Sequence, residues 1–352
     1  MVNQSIGIAL LGVGRWGTHL LRNFLEHPHA EIKAIADTSP DHLQAAAQRF
    51  ELAPDVIITT QWQEAIATAG VEAVVIVTPA STHAELIRTA LEHDLHVLVE
   101  KPVTLDVAEA EALCELATRK QRCLMVDHTY LFHPSVSAGH ALMQNGTLGK
   151  PRYGYASRTH LGPVRPDVDA LWDLAIHDIS IFNHWLGDRP CEAQASGTVW
   201  LQPDASDSPL FPQGLSDVVF AKLTYPSGFQ VMLHLCWLNP DKQRRLCLVG
   251  SDGTLVFDEM QPDQPLTLFK GHFTQQGRYF VPCGQQHQAI ASAAAEPLNQ
   301  LCTHFLAQMR GESKSCFPAH HSDGRIGTDL IRILTALSRS LNDGGRAIAI
   351  EY

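Results

Sequence analysis

The stretch that decides the fold is Gly12-Val13-Gly14-Arg15-Trp16-Gly17, which directly follows the apolar run Ile6–Leu11. The apolar run can form a buried strand, and Trp16–Phe24 has the periodicity of a helix. A second apolar segment, Glu31–Ala36, ends at Asp37, twenty residues after the last glycine. This order of strand, glycine turn, helix and acid predicts a dinucleotide site. An ordinary strand–turn–helix with chance glycines is the simpler alternative.

The three glycines have separate tasks in such a turn. Gly12 allows the tight turn, Gly14 lets the backbone approach a pyrophosphate, and Gly17 lets helix and strand pack closely. The unpaired N–H groups and the partial positive charge at the helix amino end then favour phosphate. Arg15 and Trp16 lie between the glycines, and we predict that they line the same site.

Asp37 is predicted to select the cofactor. At the end of the second strand its carboxylate can accept both hydroxyls of an adenosine ribose, and it would repel a 2′-phosphate. No arginine follows directly, because Thr38-Ser39-Pro40 comes next. The sequence therefore favours NAD(H) over NADP(H), with a helix-capping aspartate as the alternative.

The bulk composition excludes several classes of function. The chain has 352 residues, 45% hydrophobic and 18% charged, which is enough for a globular protein of two domains. A formal net charge of −11 argues against a nucleic-acid partner and gives no attraction to anionic membranes. No apolar run is long enough to span a bilayer, and the apolar amino terminus is interpreted as a strand rather than a signal peptide.

Cysteine and histidine are both frequent, yet neither forms a recognisable site. The eight cysteines show no CxxC motif, which favours reduced thiols and a cytoplasmic location. The nineteen histidines lack the spacing and companion ligands of a known metal centre, so we predict no metal.

The first part of the chain alternates short apolar strands with amphipathic helices, which predicts an α/β fold with a parallel sheet covered on both faces. The predicted strands are Ile6–Leu11, Glu31–Ala36, Val56–Ile58, Ala73–Val77, His96–Val99 and Cys123–Val126. Further helices are predicted at Asp41–Phe50, His83–His93 and Val107–Arg119. Ligands of such sheets bind outside the carboxyl ends of the strands. We therefore predict a dinucleotide-binding Rossmann domain over residues 1–127.

The pattern changes after Asp127, where we predict a substrate-binding and oligomerisation domain over residues 128–352. Predicted helices are Pro134–Gln144, Leu171–Leu186, Glu296–Met309 and Asp323–Leu341, the last of which is expected to pack back toward the first domain. Predicted strands are Arg152–His160, Ala193–Leu201, Asp217–Tyr225, Gly228–Leu238, Arg244–Val249 and Gly253–Phe257. Gln202–Ser216 and Gly284–Ala295 are interpreted as connections.

Two loops after predicted strands carry polar residues on the ligand edge of the sheet. Thr78-Pro79 opens the segment that leads to His83, where Ser81 or Thr82 can also serve as a simple helix cap. Glu100-Lys101-Pro102 follows the next strand. An ordinary solvated turn is the alternative, but a lysine held beside a nicotinamide can stabilise the developing charge on a substrate hydroxyl.

The apolar helix Leu171–Leu186 carries a polar stripe. Asp173 and His177 are four residues apart and so share one face, which Ser180 and His184 continue. Polar groups on a buried helix need partners or must line a cavity. A mutually satisfied pair is one interpretation. The other makes His177 an acid/base group, with Asp173 orienting the substrate or the imidazole.

The ordered set of motifs resembles the Gfo/Idh/MocA oxidoreductases, the group of glucose-fructose oxidoreductase and inositol dehydrogenase. The matching pieces are Gly12 to Gly17, Thr78-Pro79 with His83, Glu100-Lys101-Pro102, Asp127-His128 before Pro134, Asp173-xxx-His177, and the closing Asp323-Gly324 helix with Ser340 and Gly344-Gly345. One departure is Ala175-Ile176, since many members carry glycine after the Asp-Leu pair. The tryptophan before Asp173 is also found in only part of the family.

The resemblance implies a Rossmann domain followed by an α/β domain with a large, mostly antiparallel open sheet, whose exposed face commonly forms dimers or tetramers. It also implies that His177 is the general acid/base, while Lys101 and Asp173 position the reacting hydroxyl. Substrate contacts are implied at Tyr130, Arg158, His160, Arg165 and Trp172. Cofactor contacts are implied at Gly12, Gly14, Arg15, Trp16, Gly17, Asp37, Thr78, Pro79, His83, Glu100 and Lys101.

These patterns predict an NAD-dependent dehydrogenase that interconverts a secondary alcohol and a ketone on a sugar, a cyclitol or a nucleotide-linked sugar. We expect Lys101, Asp173 and His177 to converge beside the nicotinamide, and we expect a homodimer or homotetramer. Two alternatives stay open, namely a non-catalytic regulator that senses NAD and an enzyme that redox-cycles a tightly bound NAD. Neither the sugar nor the physiological direction follows from the residues.

Overall fold

A computed structural model describes residues 5–204, 210–311, 317–318 and 321–352. The chain forms two compact units. The first contains the chain up to Phe132 together with Glu296–Ile331, and the second contains His133–Ala295 and Arg332–Tyr352. Residues 128–132 and the described part of 296–331 therefore group with the first unit, whereas the sequence places them in the second domain.

The first unit is built on a parallel sheet of six strands. The strands are β1 (Ile6–Leu11), β2 (Ala30–Ala36), β3 (Ile57–Thr59), β4 (Ala73–Ile76), β5 (His96–Glu100) and β6 (Leu124–Asp127). Their order across the sheet is β3-β2-β1-β4-β5-β6, and every neighbouring pair is parallel. This is the doubly wound Rossmann order, which confirms the predicted fold class.

Helices alternate with these strands. They are α1 (Gly17–Glu26), α2 (Pro40–Phe50), α3 (Trp62–Ile66), α4 (His83–Glu92) and α5 (Val107–Lys120). The central strands β1 and β4 are buried along their whole length, because helices cover both faces of the sheet. The side chains of Ser39 and Asp106 cap α2 and α5 by accepting hydrogen bonds from backbone N–H groups.

A further helix, α8 (Pro297–Met309), belongs to the same unit. Its residues Leu301, Phe305 and Leu306 are buried in the apolar core cluster that also contains Leu20 and Phe24 of α1. This packing is why the late segment joins the first unit. The predicted helix Glu296–Met309 differs from α8 by one residue, and Pro297 occupies the first turn of α8.

The second unit is built on a mixed sheet of nine strands. They are β7 (Pro151–Leu161), β8 (Glu192–Thr198), β9 (Val218–Thr224), β10 (Gln230–Cys236), β11 (Leu238–Gly250), β12 (Gly253–Asp258), β13 (Leu266–Gln276), β14 (Tyr279–Ala289) and β15 (Ile348–Ala349). The order is β14-β13-β12-β11-β7-β10-β9-β8-β15. Of the strand pairs that the structure describes in this sheet, only β7–β10 is parallel, so the prediction of a large, mostly antiparallel sheet is confirmed.

Helices cover one face of this sheet. They are α6 (Pro134–Gln144), a π-helical turn (Leu171–Ala175) that continues into α7 (Ile176–Leu186), and the last part of α9 (Gly324–Asn342). In and around β10 the apolar positions Val231, Leu233 and Leu235 are buried, whereas Met232 is exposed on the other face. Successive side chains of a strand point to opposite faces, so one face of the sheet is buried and the other is exposed here.

The edge of the sheet differs from the prediction. The sequence predicts a connection over Gly284–Ala295, yet the first six residues of this range belong to β14, which pairs with β13. Most of β14 is exposed on both faces, so its sequence shows no apolar alternation to reveal a strand. Of the predicted connection Gln202–Ser216, residues 205–209 lie outside the described residues.

Among the described residues, no helix is both long and apolar enough to cross a membrane.

Candidate active site

The glycine turn between β1 and α1 has the geometry that a dinucleotide requires. Gly12 has φ +94°, and a Cβ there would meet the backbone oxygen of Val77 at 2.6 Å. A Cβ on Gly17 would lie 1.9 Å from the backbone oxygen of Gly12, so helix and strand pack in direct contact. A Cβ on Gly14 would meet nothing within 4 Å. The turn thus leaves open the side on which a pyrophosphate approaches the amino end of α1.

Asp37 lies beside this turn at the end of β2. Its Oδ2 accepts a hydrogen bond from the backbone N–H of Val13 at 2.8 Å, and its Oδ1 accepts from the N–H of Ser39 at 2.9 Å. His42 Nδ1 is 3.4 Å from the same Oδ1. Ser39, and not Asp37, provides the side chain that caps α2. Each carboxylate oxygen retains a lone pair for a further donor such as a ribose hydroxyl.

A cavity of about 300 Å³ opens between the first turn of α1 and helix α2. Gly14, Arg15, His42 and Arg49 contribute to its walls. It follows that the groove beside the glycine turn combines open backbone with cationic and imidazole side chains, which suits an anionic ligand.

His83 holds two of the predicted cofactor-binding loops together. Its Nε2 is 2.9 Å from the carbonyl oxygen of Thr78, and its Nδ1 is 2.8 Å from the carbonyl oxygen of Pro102. The residue is 1% exposed. Pro79 is exposed, and the Thr78 hydroxyl lies 2.7 Å from that of Thr82. The imidazole of His83 therefore fixes the loops that follow β4 and β5.

Glu100 ends β5 directly opposite Asp127 at the end of β6, and Lys101 follows it. The backbone N–H of Lys101 donates to Glu100 Oε2 at 3.1 Å. Glu100 is paired in register with Asp127, and burial raises the pKa of both carboxyl groups. Burial, followed by the charge of Lys101, lowers the pKa of the neighbouring His128 to about 3. The sequence motif Asp127-His128 marked this position without giving it a role.

In the second unit, Asp173 and His177 are distinguished by exposure. Both side chains are partly exposed, whereas every other residue from Leu171 to Phe182 is buried. Asp173 lies in the π-helical turn and His177 in the first turn of α7. Such π turns inside helices are frequent at functional sites. The polar stripe predicted from the sequence is therefore accessible to solvent at Asp173 and His177.

Arg165 holds Asp173. Its Nη1 is 3.3 Å from Asp173 Oδ1, while its Nη2 and Nε bind Asp167 at 2.6 and 2.9 Å. His160 lies near the same carboxylate. Burial lowers the pKa of His160, the charge of Arg244 adds to this, and the charge of Asp173 opposes it. The structure therefore brings together Asp173 and two of the predicted substrate-binding residues, Arg165 and His160.

Arg158 and Trp172, for which the resemblance implies substrate contacts, are both buried in the second unit. Arg158 is 4% exposed and forms a buried ion pair with Asp178, with Nη2 2.8 Å from Oδ1. Trp172 is 0% exposed, and its indole N–H donates to Ser338 Oγ at 2.8 Å. Both side chains thus have partners within the second unit, and their contact with a substrate stays a prediction.

The remaining predicted contacts lie in the first unit. Tyr130 is half-buried in the short 3-10 helix Thr129–Phe132 that follows β6, while Arg15 and Trp16 are exposed in the glycine turn. In the part of the chain that the structure describes, no three His, Cys, Asp or Glu side chains are grouped to hold a metal ion.

Two family models match the chain. Residues 6–128 match the oxidoreductase family with an NAD-binding Rossmann fold, and residues 137–256 match the GFO/IDH/MocA C-terminal domain. The chain belongs to the Gfo/Idh/MocA oxidoreductase family. The resemblance stated from the sequence motifs is therefore confirmed.

Relatives of this Gfo/Idh/MocA protein act on sugars and cyclitols. It is 32% identical over 200 residues to a UDP-N-acetylglucosamine 3-dehydrogenase of Acidithiobacillus ferrooxidans. The matched segment covers 56% of this chain and 59% of that protein. It is 27% identical over 267 residues to an inositol 2-dehydrogenase of Rhizobium meliloti, covering 74% and 77%. The match to the first relative spans less than two thirds of that protein's length.

The fold is shared with solved structures. A putative oxidoreductase from Magnetospirillum magnetotacticum superposes with a TM-score of 0.77 at 30% identity, covering 95% of this chain and all of that one. An inositol dehydrogenase homologue from Azotobacter vinelandii, complexed with NADH and myo-inositol, gives a TM-score of 0.77 at 20% identity and covers 98% of both chains. At that identity the second likeness speaks for the fold alone.

Proposed function

We propose that this protein is an NAD-dependent dehydrogenase that interconverts a secondary alcohol and a ketone on a sugar, a cyclitol or a nucleotide-linked sugar. The observation that carries the proposal is the glycine turn, where Gly14 leaves space for a pyrophosphate while Asp37 lies 2.8 Å from the backbone N–H of Val13. Family membership supports the same cofactor class. The relatives' names support the substrate class.

The chemistry is assigned to three side chains. His177 takes the hydroxyl proton when the alcohol is oxidised and returns it when the ketone is reduced. Lys101 and Asp173 orient that hydroxyl, and the lysine charge stabilises the oxygen as it becomes negative. The nicotinamide ring, when bound, accepts or donates the hydride. Arg165 keeps Asp173 in one orientation through the ion pair at 3.3 Å.

We also propose that NAD(H) is preferred to NADP(H). Asp37 brings a negative charge to the end of β2, where a 2′-phosphate would have to be accommodated. Arg15, His42 and Arg49 line the adjoining cavity and weaken this repulsion. Direct titration with NADH and NADPH measures the balance, and tighter binding of NADPH would contradict the assignment.

The second unit supports a proposal about assembly. One face of its nine-stranded sheet is exposed, and it carries Tyr155, Phe220, Met232 and Phe269. Exposed apolar patches of this kind mark interaction surfaces. The family resemblance suggests a second copy of the chain as the occupant. We propose that the protein is a homodimer or homotetramer through this face.

The test of the proposed chemistry is the variant His177→Ala, assayed by absorbance at 340 nm with NAD and a panel of polyols and nucleotide sugars. Loss of a positioned acid/base group costs roughly 10²- to 10⁴-fold in turnover, while the affinity for NADH should be unchanged. His184→Ala, on the same helix but stacked on His140, is the matched control.

The outcomes separate the remaining alternatives. If turnover of His177→Ala stays within a few-fold of the unmodified protein, the acid/base assignment is wrong. A protein that binds NADH and shows no turnover with any substrate would behave as an NAD-sensing regulator. Nicotinamide that copurifies and survives dialysis would instead indicate a cofactor that is redox-cycled within one turnover.

A further inference from the structure

Two buried carboxyl groups meet at the ligand edge of the first unit's sheet. Glu100 ends β5 and Asp127 ends β6, and the two residues are paired in register on adjacent parallel strands. Asp127 is 2% exposed. Glu100 is partly exposed as a residue, yet its Oε1 is shielded from solvent. Neither Glu100 Oε1 nor Asp127 Oδ2 has a hydrogen-bond partner among the described residues when both groups are treated as acceptors.

A single proton removes this deficit. Two ionised carboxylates side by side in a shielded site repel each other strongly, so one of them retains its proton. A protonated carboxyl group is a donor, and one O–H between the two groups satisfies both unpartnered oxygens at once. We propose that Glu100 and Asp127 share one proton, with Glu100 as the donor and Asp127 as the carboxylate, and that this pair positions Lys101 and the glycine turn.

The proton belongs on Glu100 because the two carboxyl groups have different partners. Asp127 accepts a hydrogen bond from the Thr129 hydroxyl, and the indole of Trp16 also favours its charged form. Glu100 accepts only from the backbone N–H of Lys101 among the bonds described. Burial raises the pKa of both groups, and the charge of Asp127 raises that of Glu100 further.

The surrounding groups are consistent with one negative charge. On β5 the neighbour is the Lys101 ammonium, which favours the ionised form of Glu100. After β6 the neighbour is His128, whose lowered pKa of about 3 keeps it neutral at pH 7. On α8 the facing group is the Cys302 thiol, whose pKa is raised by burial and then by the charge of Asp127. Among the groups named here, Lys101 is the cation, and its charge acts on Glu100.

The pair links three segments that the proposed reaction uses. Glu100 Oε2 holds the backbone N–H of Lys101, Glu100 and Asp127 join the ends of β5 and β6, and Asp127 interacts with Trp16 of the glycine turn. A second negative charge here would disfavour the phosphates that the turn is built to accept. This positioning role rests on the proposed function, whereas the shared proton does not.

Infrared difference spectroscopy of the protein without substrate tests the shared proton directly. At pH 7 the unmodified protein should show the C=O stretching band of a protonated carboxylic acid that is absent from Glu100→Gln and still present in Glu109→Gln, an exposed control in α5. Asp169 and Asp178 stay unchanged in every variant, so their bands cancel. No band difference between Glu100→Gln and the unmodified protein at pH 7 would overturn the proposal.

Asp127→Asn tests whether the proton is shared. An asparagine amide removes the repelling charge and donates to Glu100, so the carboxylic acid band should titrate away at lower pH than in the unmodified protein. An unchanged titration would show that burial alone protonates Glu100 and would reject the pair.

The positioning role is tested by the pH profile of NADH affinity. As the pH is raised and the pair loses its proton, the unmodified protein should bind NADH more weakly, and this loss should be absent from Glu100→Gln. Equal pH dependence in both proteins would reject the positioning role. Because the infrared result needs neither cofactor nor turnover, failure of the pair and failure of the proposed dehydrogenase are distinguishable.

Discussion

Replacing Arg158 with methionine separates a structural role from a substrate contact. The Arg158 guanidinium donates to Asp178 from Nη2 at 2.8 Å and from Nε at 3.2 Å, and its Nη1 lies 3.6 Å from Glu259. The side chains of Arg158 and Asp178 are 4% and 3% exposed. Methionine fills a similar volume but leaves the Asp178 carboxylate without its cation.

The expected cost follows from this burial. Removing one partner of a buried ion pair destabilises a protein by about 3–5 kcal/mol, because the other charge is left uncompensated. Burial already raises the pKa of Asp178, and the charge of Arg158 opposes that rise. Without Arg158 the carboxyl group takes up a proton more easily, which limits the loss. We therefore expect the lower part of the range, about 3 kcal/mol, at pH 7.

Urea unfolding followed by circular dichroism measures this loss, and Arg165→Met is the matched control. Arg165 pairs with Asp173 and Asp167, but its side chain is 30% exposed, so its removal should cost no more than about 1 kcal/mol of stability. Arg165→Met should instead impair turnover, because Asp173 loses its clamp. If Arg158→Met unfolds like the unmodified protein and only its KM for substrate rises, the structural role is refuted and the substrate contact implied by the resemblance is supported.

Two further predictions concern pH and assembly. Burial raises the pKa of Asp169 from 3.8 to about 7. Such a group favours the folded state while it is protonated, and this contribution falls as the pH rises from about 4 through 7. The stability of Asp169→Asn relative to the unmodified protein should therefore grow between pH 5 and pH 8 in urea titrations, and a constant difference would contradict this. Light scattering of the unmodified protein should give at least twice the mass of one chain. The double variant Phe220→Asp with Met232→Lys should have a lower mass. A monomeric unmodified protein would reject the proposed sheet interface.

The elements around the glycine turn could be predicted because local signals agree there. The predicted strand Ile6–Leu11 has the bounds of β1. In the second unit, the predicted helix Pro134–Gln144 likewise has the bounds of α6. In the first strand a continuous apolar run, a glycine that must adopt a positive φ and a following amphipathic helix all favour one structure. The same agreement allows the glycine turn to be predicted from the sequence without coordinates.

The edge hairpin of the second unit could not be predicted, because no local signal marks it. In β14 the cross-strand partners are residues such as Gln286 and His287, opposite Lys270 and Phe269 of β13. Backbone pairing with β13, rather than a buried apolar face, defines this strand. A sequence pattern based on burial therefore misses it.

The candidate site shows a second limit, since strand neighbours are set by topology. Glu100 and Asp127 are far apart in sequence, and only the order of the sheet puts the ends of β5 and β6 side by side. The sequence motifs identified both residues separately. Their adjacency and the missing hydrogen-bond donor between them depend on the coordinates, and so does the shared proton that we infer.

The consecutive residues His177 and Asp178 show why burial has to be known before a role is assigned. Both are ionisable, and both lie in the first turn of α7. His177 is partly exposed next to Asp173 on the helix, whereas Asp178 is 2% exposed and bound to Arg158. Exposed groups can exchange protons with a substrate, while a buried group that is already paired has its charge committed to the fold. The helix thus leaves His177 accessible for the proposed chemistry, while Asp178 attaches the helix to β7, which carries Arg158.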